Sequence, residues 1–279
     1  FKQEYSIREE FRTILVEFYN AEVNAADFSD PATKDRINHW IENKTNGMIK
    51  DMLDQIPSNA VMYLINAIYL KATWQFQFDK ESTGMRDFTL ENGNVIQTNM
   101  MFSEGVKVSS YSNTDLTFVE LPYGNGQFVF SIVIPHNERD LDAIIHQLDV
   151  DQFTHFIADS DTITPQVYLP KFKIGYKKLL NEVLSEMGMA ESFTGQADFS
   201  DLLQENLALA ISRVIHQAVI EVDEEGTEAA AATIVEIVET SAGIDPKPTF
   251  FIDKPFAFFI REKHSEAIIF SGKLIDPRK

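Results

Sequence analysis

The residue types that most often carry catalysis are present, but their spacing matches no reaction site. The chain has 43 Asp and Glu residues and 6 His residues, and it has no Cys. It contains no G-x-S-x-G, no H-E-x-x-H and no glycine-rich phosphate loop. The His residues lack metal-ligand spacing; they are His39, His136, His146, His155, His216 and His264. We therefore expect no catalytic residue, no metal site and no cofactor. A hydrolase is accordingly the least favoured of the functions considered below.

Residues 219–260 are the most informative stretch of the chain. A small-residue segment comes first, a turn-rich part (residues 241–248) follows, and a strongly apolar run begins at Phe250. For residues 227–240, helix propensity predicts a helix because of the consecutive alanines. Alternation predicts a strand with an uncharged face instead; that face holds Thr227, Ala229, Ala231, Thr233, Val235 and Ile237. Both interpretations stay open on the pattern alone.

Three motifs in and after this stretch carry a resemblance to a known family. Phe250 to Ile260 resembles the serpin signature, and Phe270-Ser271-Gly272-Lys273 resembles the C-terminal strand of serpins. Ala257 departs from the signature, which prefers a larger apolar residue there. The remaining motif resembles the hinge of a serpin reactive-centre loop and consists of Glu224, Glu225, Gly226, Thr227, Glu228, Ala229, Ala230, Ala231, Ala232 and Thr233. The likeness is to serpins of the bacterial type.

The resemblance implies an α+β serpin fold. Its parts are a large mixed A sheet, B and C sheets, surrounding helices and an exposed reactive-centre loop at about residues 224–249. We expect one domain over residues 1–279. Against the family pattern, we also expect the opening helices, the first strand of the B sheet and one strand of the A sheet to be missing from this sequence.

The same resemblance assigns structural roles to five residues. Asn66 and His216 match the shutter, where the A sheet opens. Trp74, Lys171 and Glu224 match the breach at the top of that sheet, with an ion pair between Lys171 and Glu224. Asn66 interrupts the apolar run 61–70, and a buried amide in such a run needs hydrogen-bond partners.

The function that the resemblance implies is suicide inhibition of a protease. Family spacing puts the reactive bond after the fourteenth residue beyond Gly226, between Thr240 and Ser241, with Val238 and Glu239 as alternatives. No Arg or Lys lies between Glu228 and Pro246, which argues against trypsin-like targets. A small β-branched residue suits elastase-like or subtilisin-like serine proteases, and Val238 beside Glu239 suits a papain-like cysteine protease or a glutamate-specific enzyme. The alternative is a noninhibitory serpin acting as a binding or chaperone module.

The charge of the chain limits its partners. The formal net charge is −19 and the isoelectric point is about 4.6, so nucleic acid and anionic membranes are poor partners. The same acidity disfavours a heparin-type cofactor. We expect a monomer that is secreted or at the cell surface.

Periodicity and turn residues predict the order of the elements. The predicted helices are 7–19, one that opens at Asp30-Pro31, 141–158 and 178–187. The predicted strands are a weak one at 21–28, one at 61–70 covered on both faces, a hairpin at 118–135, one at 164–174, and the end of a strand at 219–222. Residues 207–222 lead into the hinge.

Overall fold

A computed structural model describes residues 1–57, 59–63, 65–136, 139–227 and 247–278. The described helices are α1 Glu9–Tyr19, α2 Ala32–Lys44, α3 Leu141–Gln147, α4 Val150–Ala158 and α5 Asn181–Leu184, with shorter helical turns at Lys80–Ser82, Ser185–Met189 and Ala190–Phe193. The described strands are β1 Asn66–Tyr69, β2 Ala72–Thr73, β3 Gly84–Thr89, β4 Val95–Ser103, β5 Val108–Ser112, β6 Leu116–Pro122, β7 Phe128–Pro135, β8 Asp161–Ile163, β9 Gln166–Pro170, β10 Phe172–Leu179, β11 Ile215–Val222, β12 Gly226–Thr227, β13 Thr249–Phe251, β14 Phe256–Glu262 and β15 Ile268–Leu274.

The chain divides into two compact units. The first comprises Phe1–Tyr69 and Gly175–Val219, and the second comprises Leu70–Ile174 and Ile220–Lys279. Strands β10 and β11 each run from one unit into the other along the chain. The expectation of a single domain stays a prediction.

In the first unit, helix α2 packs on a pair of parallel strands. Strand β1 pairs with the first half of β11, from Asn66 opposite His216 to Tyr69 opposite Val219. Ile41 of α2 is fully buried in an apolar cluster that includes Val219. The helix begins after Asp30, whose carboxylate accepts a hydrogen bond from the Ala32 N–H at 2.9 Å, as is typical of a helix N-terminus.

In the second unit, two sheets contribute to one apolar core. The described strands form a four-stranded sheet in the order β13-β9-β4-β3 and a six-stranded sheet in the order β15-β14-β7-β6-β5-β8. Val167 of β9, Phe130 of β7 and Phe258 of β14 are all buried in this core. The helices α3 and α4 pack on the six-stranded sheet through a second cluster that contains Phe118 and Phe153. Side chains that alternate along the strands of the six-stranded sheet thus pack into two different cores.

The second unit also holds the two-residue strand β12, which lies between β11 and the equally short β2. Thr227 is opposite Val222 of β11 on one side and Ala72 of β2 on the other, and both pairings are antiparallel. Strand β11 therefore pairs antiparallel with β12 and parallel with β1. This agrees with the mixed A sheet that the family resemblance implies.

The structure confirms several predicted elements and corrects others. The helices α1 and α2 and the hairpin β6–β7 lie where the sequence places them. Residues 21–28 form no strand; Ala26 makes an isolated bridge to Lys2. The run 61–70 was predicted as a strand covered on both faces, but within its described part the strand is only Asn66–Tyr69, and Asn66 is exposed. The apolar residues 61–63 and 65 take part in no strand pairing among the described residues, and the Val61 carbonyl instead accepts from the Lys2 N–H at 2.9 Å.

Three further predicted elements have different boundaries. The helix predicted at 141–158 is two helices, because Asp149 caps α4 by accepting from the Gln152 N–H at 2.8 Å. The strand predicted at 164–174 is two strands, β9 and β10; Lys171 between them still donates its N–H to Asn99 O at 2.9 Å, in the register of the β4–β9 ladder. The helix predicted at 178–187 is only Asn181–Leu184 in its α-helical part, since β10 runs to Leu179. The strand whose end the sequence places at 219–222 is β11, which begins at Ile215.

Candidate functional site

The third residue of the hinge is a glycine that no other residue can replace without a shift of the backbone. Gly226 has φ +148°, which L-residues rarely adopt. A Cβ built on Gly226 would lie 2.2 Å from Ala72 O and 2.6 Å from Thr73 Cα. Both obstacles are backbone atoms of β2, the strand beside β12. Gly226 therefore allows the hinge to turn and to approach β2 closely.

The next residue of the hinge, Thr227, is buried against an aromatic pair. Thr227 is 1% exposed, and its hydroxyl lies 2.6 Å from the hydroxyl of Tyr123. Burial raises the pKa of Tyr123, which remains neutral. Trp74 stacks on Tyr123 with ring centroids 4.5 Å apart, and its indole N–H donates to Asp223 O at 2.8 Å. Trp74 thus contacts the chain just before the hinge and supports the residue that holds Thr227.

Glu224, which the family resemblance assigns to the breach, is held by two side chains. Lys171 Nζ lies 2.7 Å from Oε2 of Glu224, and the Thr83 hydroxyl donates to Oε1 at 2.8 Å. The Glu224 side chain is 5% exposed and that of Lys171 is 38% exposed. Burial alone would raise the pKa of Glu224, but the hydrogen bonds from Lys171 and Thr83 outweigh it, so the pKa lies below its ordinary value. The carboxylate is therefore charged at neutral pH.

Asn66 and His216 are neighbours in the first unit. They face each other across the parallel pair β1–β11. His216 is half-buried, and its ring lies 6.4 Å from that of Tyr176. The sequence brings these two residues together only through the resemblance, since they are 150 positions apart (216 − 66).

Other predicted site residues lie outside the described part of the chain. These are the later hinge residues Glu228, Ala229, Ala230, Ala231, Ala232 and Thr233, and the candidates for the reactive bond Val238, Glu239, Thr240 and Ser241.

Sequence reasoning did not find several residues that contact the hinge. Tyr123, Thr83, Lys80 and Asp223 all touch it or the residues just before it. Tyr123 contacts a residue 104 positions away and Thr83 one 141 positions away. Local periodicity contains no signal for contacts of such long range.

Comparisons with known proteins give the same family as the motifs. A family model described as "Serpin (serine protease inhibitor)" matches residues 1–277. The chain belongs to the serpin family. It is 36% identical to an uncharacterized serpin-like protein of Methanosarcina acetivorans, with 98% of this chain and 65% of that protein covered. It is 34% identical to a serine protease inhibitor of Cyanea capillata over 98% of this chain and 73% of that protein.

Solved serpin structures share the fold. The native state of tengpin, a thermophilic serpin, is similar with a TM-score of 0.85 and 32% identity, and 98% of this chain and 70% of that chain are covered. The predicted α+β serpin fold is thus confirmed. The chain spans just under two thirds of the Methanosarcina relative.

Metal-binding clusters and membrane-spanning helices are both absent from the described residues. No three of their His, Asp or Glu side chains gather in a way that could hold a metal ion. No described helix is both long enough and apolar enough to cross a membrane.

Proposed function

We propose that this serpin is a suicide inhibitor of proteases, which traps the acyl-enzyme by inserting its cleaved loop into the mixed sheet. The observation that carries the proposal is the position of Gly226 and Thr227. These two residues already pair with strands on both sides, and Thr227 is buried. The hinge therefore marks where a new strand begins.

Side-chain alternation supports insertion of the residues that follow. Successive side chains of a strand point to opposite faces, so Ala229 and Ala231 would share the inward face of Thr227. Both are small enough to enter without overpacking. No Pro lies between Gly226 and Gly243, so every backbone N–H of the segment can donate to a ladder.

The strand pairing in the first unit indicates what insertion changes. There, β1 and β11 pair directly with each other over four residues each. A new strand between them replaces one parallel ladder by two antiparallel ladders. Each hydrogen bond gained contributes a net ~0.5–1.5 kcal/mol, so a long insertion strongly favours the cleaved form.

The chemistry before insertion belongs to the protease. Its serine oxygen attacks the carbonyl carbon of Thr240, the bond to the nitrogen of Ser241 breaks, and that nitrogen leaves with a proton as a new amino terminus. Thr240 remains attached as an ester of the protease. Insertion of residues 227–240, which span about 45 Å when extended, moves the protease away and distorts its oxyanion hole, so that water no longer cleaves the ester.

The proposed targets follow from the residues around the bond. Thr240 suits elastase-like and subtilisin-like serine proteases, and the alternatives Val238 and Glu239 suit papain-like cysteine proteases. The protein acts as an inhibitor and not as an enzyme, without a cofactor, as a monomer that is secreted or at the cell surface.

The substitution Thr227→Arg tests the proposal. Arg cannot be buried beside Tyr123 without a counter-charge, so the loop should be cleaved without trapping. The matched control is Thr89→Arg, which makes the same change at an exposed position of β3. We expect the control to form a complex that survives denaturing electrophoresis and the Thr227 variant to be cleaved only. Undiminished complex formation by Thr227→Arg would rule out insertion.

A further inference from the structure

One segment of the second unit holds the backbone of the hinge at two consecutive residues. The Trp74 N–H donates to Glu225 O at 2.8 Å, and the Phe78 N–H donates to Glu224 O at 2.9 Å. We name residues 74–83 the hinge clamp. Its backbone contacts fix the chain immediately before Gly226, where β12 begins.

The clamp also reaches the side chain of Glu225. Lys80 Nζ forms an ion pair and a hydrogen bond with Oε1 of Glu225. The Glu225 side chain is 20% exposed, whereas that of Lys80 is 62% exposed. Lys80 is the one side chain that is hydrogen-bonded to this carboxylate among the described residues. A mostly buried carboxylate thus depends on a cation at the surface.

The position of Lys80 is itself fixed by a capped turn. Lys80 begins the short helical turn Lys80–Ser82, and the carboxylate of Asp79 accepts from the Glu81 N–H at 3.0 Å and from the Ser82 hydroxyl at 2.9 Å. The hydrogen bond to Glu225 raises the pKa of Lys80, so the ammonium group stays charged at physiological pH. The capped turn fixes the position of Lys80, and the backbone contacts of the hinge clamp fix that of Glu225, so both partners of the ion pair are held in place.

We propose that Lys80 is a positioning residue for the hinge, and that its ion pair with Glu225 sets the register in which the loop begins to enter the sheet. A slip by one residue would turn every following side chain to the opposite face. The face that carries Glu228 and Glu236 would then point inward in place of the face of Thr227 and Ala229. Correct register at Gly226 is thus a condition for insertion of the rest.

Removal of Lys80 should have a modest effect on the attachment of β12, because the Lys80 ammonium of the ion pair is exposed at the surface. Exposed ion pairs change an equilibrium by about two- to fivefold. Without Lys80 we expect β12 to detach more often, and insertion to begin more slowly. The part of this inference that concerns insertion rests on the proposed inhibitory function, whereas the attachment of β12 can be measured without a protease.

The experiment uses the full-length protein with Lys80→Ala, Lys80→Arg and the charge swap Lys80→Glu with Glu225→Lys. The matched control is Lys273→Ala, which removes another exposed ion pair of the second unit, with Asp142 of α3 at 2.7 Å; neither residue belongs to the hinge clamp or to residues 220–227. Hydrogen exchange of the peptide that covers residues 223–227 reports attachment of β12. Denaturing electrophoresis after incubation with pancreatic-type elastase reports the ratio of trapped to merely cleaved protein.

We expect Lys80→Ala to exchange about two- to fivefold faster at residues 223–227 and to shift the ratio toward cleaved protein. Lys80→Arg and the charge swap should restore both the exchange rate and the trapping ratio, and Lys273→Ala should change neither. Unchanged exchange in Lys80→Ala, or an equal change in Lys273→Ala, would overturn the proposal. If the unmodified protein forms no trapped complex, the inhibitory function fails, and the exchange data still decide the role of Lys80.

Discussion

Replacing Gly226 by Ala should detach the start of the hinge from the sheet. The new Cβ would lie 2.2–2.9 Å from backbone atoms of Ala72, Thr73 and Trp74, and Cβ atoms do not approach backbone so closely. The φ of +148° at this position is also one that favours glycine. Because the obstacles are backbone atoms, the strain is relieved by separation of β12 from β2.

The magnitude is set by the contacts that separation loses. These are the two residue pairs between β12 and β2, the bond between Thr227 and Tyr123, and the burial of Thr227. At ~0.5–1.5 kcal/mol for each hydrogen bond, the loss is about 2–4 kcal/mol. Attachment of β12 would then weaken by a factor of roughly 30 to 900.

Hydrogen exchange of the peptide covering residues 223–227 measures this change directly. Gly84→Ala is the matched control, because Gly84 also lies in a strand and a Cβ there meets no atom within 4 Å. We expect a large loss of protection in Gly226→Ala alone, together with cleavage in place of trapping by elastase. Wild-type protection and trapping in Gly226→Ala would refute the assignment of Gly226 as the fixed start of the inserting strand.

Three further substitutions test the contacts around the hinge and in the cores. Glu224→Gln should destabilise the protein by about 1–2 kcal/mol at neutral pH. Because folding lowers the pKa of Glu224, the stability advantage of the wild type should disappear as pH falls through the folded-state pKa, below the ordinary 4.5. A difference in denaturant unfolding that does not depend on pH would contradict this. Arg261→Met removes the guanidinium that lies 2.9 Å from the buried Glu120 carboxylate and should lower the stability by about 3–5 kcal/mol. The double variant with Glu120→Leu should recover most of this stability in thermal unfolding. No recovery would show that the loss does not come from the unpaired charge. Gln217→Met removes a buried amide oxygen that has no hydrogen-bond partner among the described residues and should be neutral or stabilising. A clear fall in melting temperature would indicate a partner such as bound water.

The sequence predicted the family and the α+β fold because the motifs around the hinge are specific. It also predicted α1 and α2, whose apolar residues recur with a helical period, and the hairpin β6–β7, whose turn contains Gly124 and Gly126 with positive φ. These features depend on local spacing, which a sequence displays directly.

The remaining features depend on contacts between distant residues. The break at Lys171 separates β9 from β10 and places the Lys171 ammonium beside Glu224, 53 positions away. The clamp contact from Lys80 reaches 145 positions along the chain. Residues 61–65 are apolar enough for a strand, but pairing with β11 begins only at Asn66. The start of β1 therefore depends on backbone pairing with β11 and not on the apolar composition of the segment.

The most direct test of inhibition is incubation of the full-length protein with a pancreatic-type elastase, followed by denaturing electrophoresis and mass spectrometry. The proposed function predicts a complex that survives denaturation and a released peptide that begins at Ser241. Complete cleavage with no complex, for elastase and for subtilisin-like and papain-like proteases, would contradict it and leave a noninhibitory role.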